Sequence, residues 1–256
     1  MHKNFILFGA LSLLLLVTSC QSHYQVTEVS RTRILVDARY DAKPDAQAMS
    51  FIKSYQHVVD SMMCPVVGYT EQYMSAQRPE SLLSNLLADI LVWGGKYFNE
   101  RPDFAVYNMG GIRAALAEGK VTYGDVLDVA PFENKICFLT LTGENVLELF
   151  GQIAKRGGEG LSHGVELTIT SDGQLSSVCL HGKEIDPHAT YRVATIDYLA
   201  QGNDGMPAFK KASEMVSPQG EKNNARNIIM DYFREQMAQG KKVNSKIEGR
   251  VVVNNE

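Results

Sequence analysis

The chain has 256 residues, 45% of them hydrophobic and 21% charged. That balance excludes disorder throughout and is long enough for one sizeable domain. A formal net charge of -4 gives no general attraction to polymeric nucleic acid, which needs a clustered basic face, so an anionic ligand must be met by a few local donors.

The chain begins Met1-His2-Lys3-Asn4, continues through an apolar run at 5–17, and reaches Thr18-Ser19-Cys20. A short basic start, an apolar core and small residues before a cut form a signal peptide. The run falls short of the roughly 20 apolar residues a membrane-spanning helix needs. The stretch Leu16-Val17-Thr18-Ser19-Cys20 resembles the bacterial lipobox. The resemblance implies a signal peptide at 1–19, lipid attachment at Cys20, a polar tether at 20–30 and a domain at 31–256. It also implies anchoring to a bacterial membrane, on the periplasmic or cell-surface side. A plain secretory signal with an incidental Cys is the alternative. The remaining Cys64, Cys137 and Cys179 are odd in number, which argues against a complete disulfide framework. Their apolar neighbours predict buried free thiols.

Along the domain, Ile34 and Val36 alternate within 31–36 and predict a first strand. Pro44 and Asp45 open a helical pattern, in which Met49, Ile52, Tyr55, Val59, Met62 and Met63 recur at steps of three and four until Pro65. A strand is expected at 66–73. A strong helix follows over 81–97, with Leu82, Leu83, Leu86, Leu87, Ile90 and Leu91 on one face and Ser81 placed to cap it. Residues 103–107 predict a short strand, 108–113 a loop, and 114–118 a brief helix ending at Gly119. After a short element at 123–129, a buried strand is expected at 136–141. Thr142 then caps a helix containing Val146, Leu149, Phe150 and Ile153. Strands at 165–169, 176–180 and 191–196 are joined by Asp-Gly and His-Gly turns. A Gly-rich loop at 198–205, a helix at 224–237 and a strand at 247–253 complete the chain. Irregular alternation with several strands in hairpin order predicts an α/β fold, a mixed sandwich and not a doubly wound parallel sheet.

Three loops combine Gly with polar or aromatic residues. In Asn108-Met109-Gly110-Gly111-Ile112-Arg113 the paired glycines permit a sharp turn and close approach of a ligand. Asn108 offers a donor and an acceptor, and Arg113 can meet phosphate through two parallel N–H bonds. The loop lacks the Gly-Lys-Ser/Thr ending of a Walker loop. In Pro131-Phe132-Glu133-Asn134, Phe132 is either a stacking wall for a base or core. In 198–205, Asp204 lies among residues that tolerate left-handed backbone, suited to a carboxylate that accepts from a ribose diol, with Tyr198 as a second wall. Taken singly, the first and third loops also read as ordinary turns, and Phe132 as core.

Phosphoester hydrolysis commonly uses a two-metal clamp built from several His and carboxylates. The His residues past the signal and tether, His57, His163, His181 and His188, are scattered, and no Gly-x-Ser-x-Gly elbow occurs. No metal ligands and no catalytic residues are therefore assigned in this chain.

The segment 67–253 resembles the C-terminal domain of the 5′-nucleotidase family. The likeness is carried by Glu80-Ser81-Leu82-Leu83-Ser84-Asn85-Leu86-Leu87-Ala88-Asp89, the 108–113 loop, Pro131-Phe132, Leu141-Thr142-Gly143 and residues 191–205. It implies a mixed α-β-β-α sandwich of the 5′-nucleotidase C-terminal domain type, which binds the nucleoside part of a nucleotide. The base stacks between two rings, which fall on Phe132 and Tyr198. The base-contacting Asn falls on Asn108, the ribose- or phosphate-side Arg on Arg113, and the ribose-binding Asp on Asp204, with Gly110 and Gly111 in the same loop. A further phosphate contact falls on either Gln77 or Arg78. Asn203 stands where the family more often has a second Gly, and a positive φ at Asn203 is expected to preserve the turn. The family's N-terminal metallophosphatase domain, with its two metals, has no counterpart in the residues before the matched segment. The resemblance therefore implies the nucleotide-recognition part of a split enzyme. Divalent metals would lie only in a partner metallophosphatase chain, and no cofactor in this one. A non-catalytic nucleoside- or nucleotide-binding lipoprotein is the alternative.

Overall fold

The computed structural model describes residues 24–39 and 41–254. The signal peptide and Cys20 lie outside these residues. Contacts divide the chain into Met1–Phe51 and Ile52–Glu256. In the first unit, the described residues of the expected tether are irregular and exposed. The strand expected at 31–36 does not form: the backbone there is irregular and every residue is exposed. Alternation alone specifies no strand without a neighbour to accept its backbone hydrogen bonds. Helix α1 (Ala46–Met63) starts where Asp45 was expected to open it. The Asp45 carboxylate accepts from the N–H groups of Gln47 and Ala48, both at 2.9 Å, so two orphan donors of the first turn are satisfied. Met49, Ile52, Tyr55, Val59 and Met62 are exposed along it. Among the described residues no helix is long and apolar enough to cross a membrane.

The second unit takes in α1 from Ile52 onward and then runs, in chain order, through β1 (Val66–Thr70), α2 (Leu82–Gly94), β2 (Phe104–Tyr107), β3 (Gly119–Thr122), α3 (Tyr123–Val129) and β4 (Ile136–Thr142). It continues through α4 (Gly143–Lys155), β5 (Gly160–Leu161), β6 (Val165–Thr170), β7 (Leu175–Leu180), β8 (Lys183–Glu184) and β9 (Thr190–Ile196). The one-turn helix α5 (Asp197–Ala200), β10 (Ser213–Val216), α6 (Ala225–Ala238) and β11 (Val251–Asn254) complete it. The strands form a five-stranded sheet in the order β10-β4-β9-β2-β5, a four-stranded sheet in the order β11-β6-β7-β8, and the pair β1-β3. This is the mixed α/β arrangement the sequence predicted. Helix α2 buries Leu83, Leu86, Leu87, Ile90 and Leu91 and packs against β2, β5, β9 and α6. Helix α4 buries Val146, Leu149, Phe150 and Ile153 and touches both large sheets, through β4 and β9 on one and β6 and β7 on the other. Full burial of each such side chain contributes about 1.5–3 kcal/mol, and this apolar seam fixes the sheets on which the loops sit.

Local details depart from the expected pattern where tertiary partners compete. The helix expected at 114–118 is absent, because Leu116 exchanges both backbone hydrogen bonds with Met74, each at 2.9 Å. Ser81 stands at the start of α2, but its hydroxyl meets the Ser84 hydroxyl at 2.7 Å and caps no backbone N–H. The last strand is shorter than expected, with Ile247 exposed ahead of it. Of the three thiols expected to be buried, only Cys137 is; Cys179 is intermediate and Cys64, just past the end of α1, is exposed. Thr142 caps α4 by accepting from the Asn145 N–H, as expected. An unforeseen capping box at Thr122 and Asp125 starts α3.

Candidate functional site: a cleft at one end of the five-stranded sheet

Strand direction brings distant loops together. β2 runs parallel to β9, with Phe104 opposite Val193, so both strands end at the same edge, and there they release Asn108 and Tyr198. β4 runs antiparallel to β9, with Ile136 opposite Ile196, so β4 starts at that edge, directly after Pro131-Phe132-Glu133-Asn134. β5 runs antiparallel to β2, with Gly160 opposite Tyr107, which brings Arg156 and Glu159 to the same place. Four loops from distant parts of the chain thus meet above one sheet end.

Three of them line a cavity of about 220 Å³, through Asn108, Gly110, Gly111, Phe132, Asn134, Tyr198 and Asp204. Phe132 is 50% exposed and Tyr198 37%, although large aromatic rings gain most when buried. Asn108 is buried, and its Nδ2 donates to Asp204 Oδ2 at 2.8 Å. Asn108 Oδ1 is buried and, among the described residues, has no hydrogen-bond partner. Such a group costs about 1–3 kcal/mol and calls for an explanation in a native fold. Gly111 explains the packing: a Cβ built there would stand 2.5 Å from Asn108 Oδ1. Only a residue without a side chain lets the Asn108 amide lie flat against this turn.

Asp204 has φ 54, within the left-handed region, flanked by Gly202 at φ 78 and Gly205 at φ 70. The expected positive φ at Asn203 does not occur. Asn203 instead holds the loop with its side chain, donating through Nδ2 to the Tyr198 carbonyl at 2.8 Å. The Tyr198 hydroxyl donates to Asp204 Oδ1 at 3.1 Å. That bond and the negative charge of Asp204 raise the Tyr198 pKa above its ordinary 10.0, so the phenol stays a donor at neutral pH. The segment 198–205 was expected to be loop throughout, but its first residues complete the one-turn helix α5, which aims the Tyr198 ring.

Of the residues expected from the sequence, Asn108, Gly110, Gly111, Phe132, Tyr198 and Asp204 share the cavity. Arg113 does not line it. It is exposed at the rim, its Nη1 donating to the Gly110 carbonyl at 3.3 Å. Arg78 lies behind the cavity, with Nε on the Gly158 carbonyl at 2.8 Å and Nη2 paired with Glu159. Gln77 is exposed.

Three residues were not singled out from the sequence. Asn134 lines the cavity close to Phe132 in the chain. Glu159 has a fully buried side chain, accepts from Arg156 Nε at 2.6 Å and Arg78 Nη2 on Oε1, and accepts the Met109 N–H on Oε2. Arg156 in turn places Nη2 at 3.8 Å from Asp204 Oδ2. Burial works against the Arg156 charge, but its bond to Glu159 and the charges of Glu159 and Asp204 raise its pKa overall. The signal for this group was Arg156-Gly157-Gly158-Glu159: two residues able to form a charged pair across two glycines, both of which adopt positive φ. Among the described residues, no group of three or more His, Cys, Asp or Glu side chains is placed to hold a metal ion.

A family model described as the C-terminal domain of 5′-nucleotidase matches residues 66–211. The chain belongs to the 5′-nucleotidase C-terminal domain family. The 5′-nucleotidase of Vibrio cholerae is 27% identical over 184 residues, covering 70% of this chain and 33% of that protein. The trifunctional nucleotide phosphoesterase protein YfkN of Bacillus subtilis is 29% identical over 246 residues, which is 88% of this chain and 16% of that protein. A crystal structure of a 5′-nucleotidase precursor from Thermus thermophilus superposes with a TM-score of 0.70 at 27% identity, covering 82% of this chain and 43% of that one. The chain thus spans a third or less of the length of these two curated relatives. The residues that line the cleft, from Asn108 to Asp204, fall within the matched residues.

Proposed function

We propose that this domain recognises a nucleotide, holding the base and ribose of a nucleoside monophosphate for hydrolysis by a separate metallophosphatase chain. The observation that carries the recognition reading is the cleft itself. Two half-exposed rings, Phe132 and Tyr198, come from loops far apart in sequence and line one cavity with a carboxylate and two amides. Aromatic walls with sparse polar groups suit a flat heterocycle, because every base has a π-face to stack. The carboxylate of Asp204 suits sugar hydroxyls, Asn134 offers a donor and an acceptor to a base or sugar edge, and Asn108 holds the Asp204 carboxylate in place through Nδ2. The exposed Arg113 at the rim offers a guanidinium for a phosphate, while Arg78 and Arg156 are compensated by Glu159. The family supports nucleotides as the ligand class, since the named relatives are 5′-nucleotidases and a nucleotide phosphoesterase. Lipid anchoring through Cys20 belongs to the same reading, and Cys20→Ser should move the protein from the membrane to the soluble fraction.

Two measurements test the proposal. Calorimetric titration with adenosine and its monophosphate should give saturable binding. Absence of binding at millimolar ligand would end the recognition reading. Mixing the protein with a purified metallophosphatase should raise phosphate release above the phosphatase alone. Binding without any such gain would favour a non-catalytic nucleotide-binding protein instead.

A further inference from the structure

We propose that the hydroxyl of Tyr198, and not its ring alone, makes the cleft selective for ribose over 2′-deoxyribose, an inference that rests on the nucleoside-binding reading above. The argument starts from the acceptor capacity of Asp204. An ionised carboxylate offers about four acceptor sites, two on each oxygen. Within the protein, Oδ2 takes Asn108 Nδ2 at 2.8 Å and Oδ1 takes the Tyr198 hydroxyl at 3.1 Å. Arg156 Nη2, at 3.8 Å from Oδ2, is beyond hydrogen-bond reach. One acceptor site therefore remains on each oxygen. Two sites, one per oxygen of a single carboxylate, match two hydroxyls on adjacent carbons. A sugar lacking the 2′-hydroxyl fills only one of them.

The two internal donors also decide how the carboxylate stands. The backbone of Asp204 is set by its left-handed φ between Gly202 and Gly205, but its side chain is free to turn unless held. A donor on each oxygen fixes the plane of the group. Asn108 comes from the end of β2 and Tyr198 from the end of β9, two strands of one sheet, so the hold is anchored on rigid elements. With the Tyr198 hydroxyl gone, one point remains, and the carboxylate can swing about it. A vicinal diol then has to order the group on binding, and that ordering lowers affinity. A ligand that makes one bond, or relies on stacking, loses much less. The bond also ties the ring to the sugar clamp through Asp204, so that the stacking wall and the clamp move as one.

The test is calorimetric titration of the full-length protein and its Tyr198→Phe and Asp204→Asn variants with adenosine and with 2′-deoxyadenosine. The wild type is expected to prefer adenosine. Tyr198→Phe keeps the ring and should weaken adenosine binding about three- to tenfold, the equivalent of one hydrogen bond, with deoxyadenosine changed less than about twofold. Asp204→Asn tolerates the same backbone conformation and should collapse the preference in the same way. An unchanged preference in Tyr198→Phe, or equal weakening of both ligands, overturns the inference and leaves nucleoside binding standing. Equal affinity of the wild type for the two ligands overturns it as well. Binding of neither ligand by the wild type is a different failure, that of the nucleoside reading itself.

Discussion

The packing of Asn108 against Gly111 makes a pair of adjacent substitutions informative. A Cβ at Gly111 would lie 2.5 Å from Asn108 Oδ1, 3.2 Å from its Cγ and 3.3 Å from its Nδ2. A Cβ at Gly110 would lie 3.8 Å from Asp204 Oδ2 and 4.0 Å from Asn108 Nδ2, which is ordinary contact. Neither glycine has a positive φ, so neither substitution strains the backbone. Both gain the same stabilisation from a less flexible unfolded chain, about 0.4–1 kcal/mol, and their difference isolates the clash. Overpacking of this kind costs about 1–3 kcal/mol. Gly111→Ala should therefore be less stable than Gly110→Ala by about that amount, seen as a lower urea midpoint with an unchanged slope. Because the displaced Asn108 is the donor to Asp204 Oδ2, Gly111→Ala should also weaken adenosine binding, as read by calorimetry. Equal stability of the two variants, or a Gly111→Ala protein with wild-type affinity, would refute the reasoning.

Other expectations follow from the same geometry. Phe132→Ala removes a half-exposed ring, so adenosine binding should fall by about 1–3 kcal/mol while the thermal midpoint stays near that of the wild type; a large fall in the midpoint would place the ring in the core instead. Glu159→Gln leaves Arg78 and Arg156 without their shared buried carboxylate. Breaking a buried pair costs about 3–5 kcal/mol, and the partly exposed arginines favour the lower end, measurable by denaturant titration. Burial pushes the Cys137 thiol up to about 11 from 9.0. A thiol reagent at pH 8 should thus modify exposed Cys64 first and leave Cys137 untouched until unfolding. The raised value carries a sign for stability. The contribution of Cys137 is whole below pH 9 and is lost as pH rises toward 11, because the unfolded chain ionises first. Cys137→Ala should flatten that part of the stability profile.

What was legible in the sequence was whatever rests on local rules. The leucine stripe of α2, the Thr142 cap of α4, the Asp-Gly turn between β6 and β7 and the mixed α/β class follow from local signals, which neighbouring residues decide. The His-Gly turn leads from β7 to β8 and not, as expected, to β9, which lies in the other sheet. The misses occur where a distant partner decides. Leu116 pairs with Met74 and not with its own next turn, residues 31–36 find no sheet, and Ser81 meets another hydroxyl before it meets a backbone N–H. In the site, Asn203 was expected to supply a backbone conformation and supplies a side-chain bond instead. The two-residue strands β5 and β8 left no periodic signal, since two residues cannot display one, and β3 and β10 were also not expected as strands.

The same distinction explains why three loops that each have an ordinary structural reading form one site. A turn signal says that the chain reverses; it does not say at which end of the sheet it does so. That depends on strand direction, and here β2 and β9 are parallel and β4 and β5 antiparallel to their neighbours. With those four directions fixed, the residues after β2 and β9 and before β4 and β5 must share one edge, and Asn108, Tyr198, Phe132 and Glu159 are those residues or lie close to them. Reversal of β4 alone would carry Phe132 to the far end of the sheet and away from the cavity it lines with Tyr198. The cleft is therefore a property of topology first and of side chains second. Glu159 follows the same logic: pairing of β5 with β2 sets it beside the Met109 N–H, where a buried carboxylate can be satisfied by backbone and by two guanidinium groups at once.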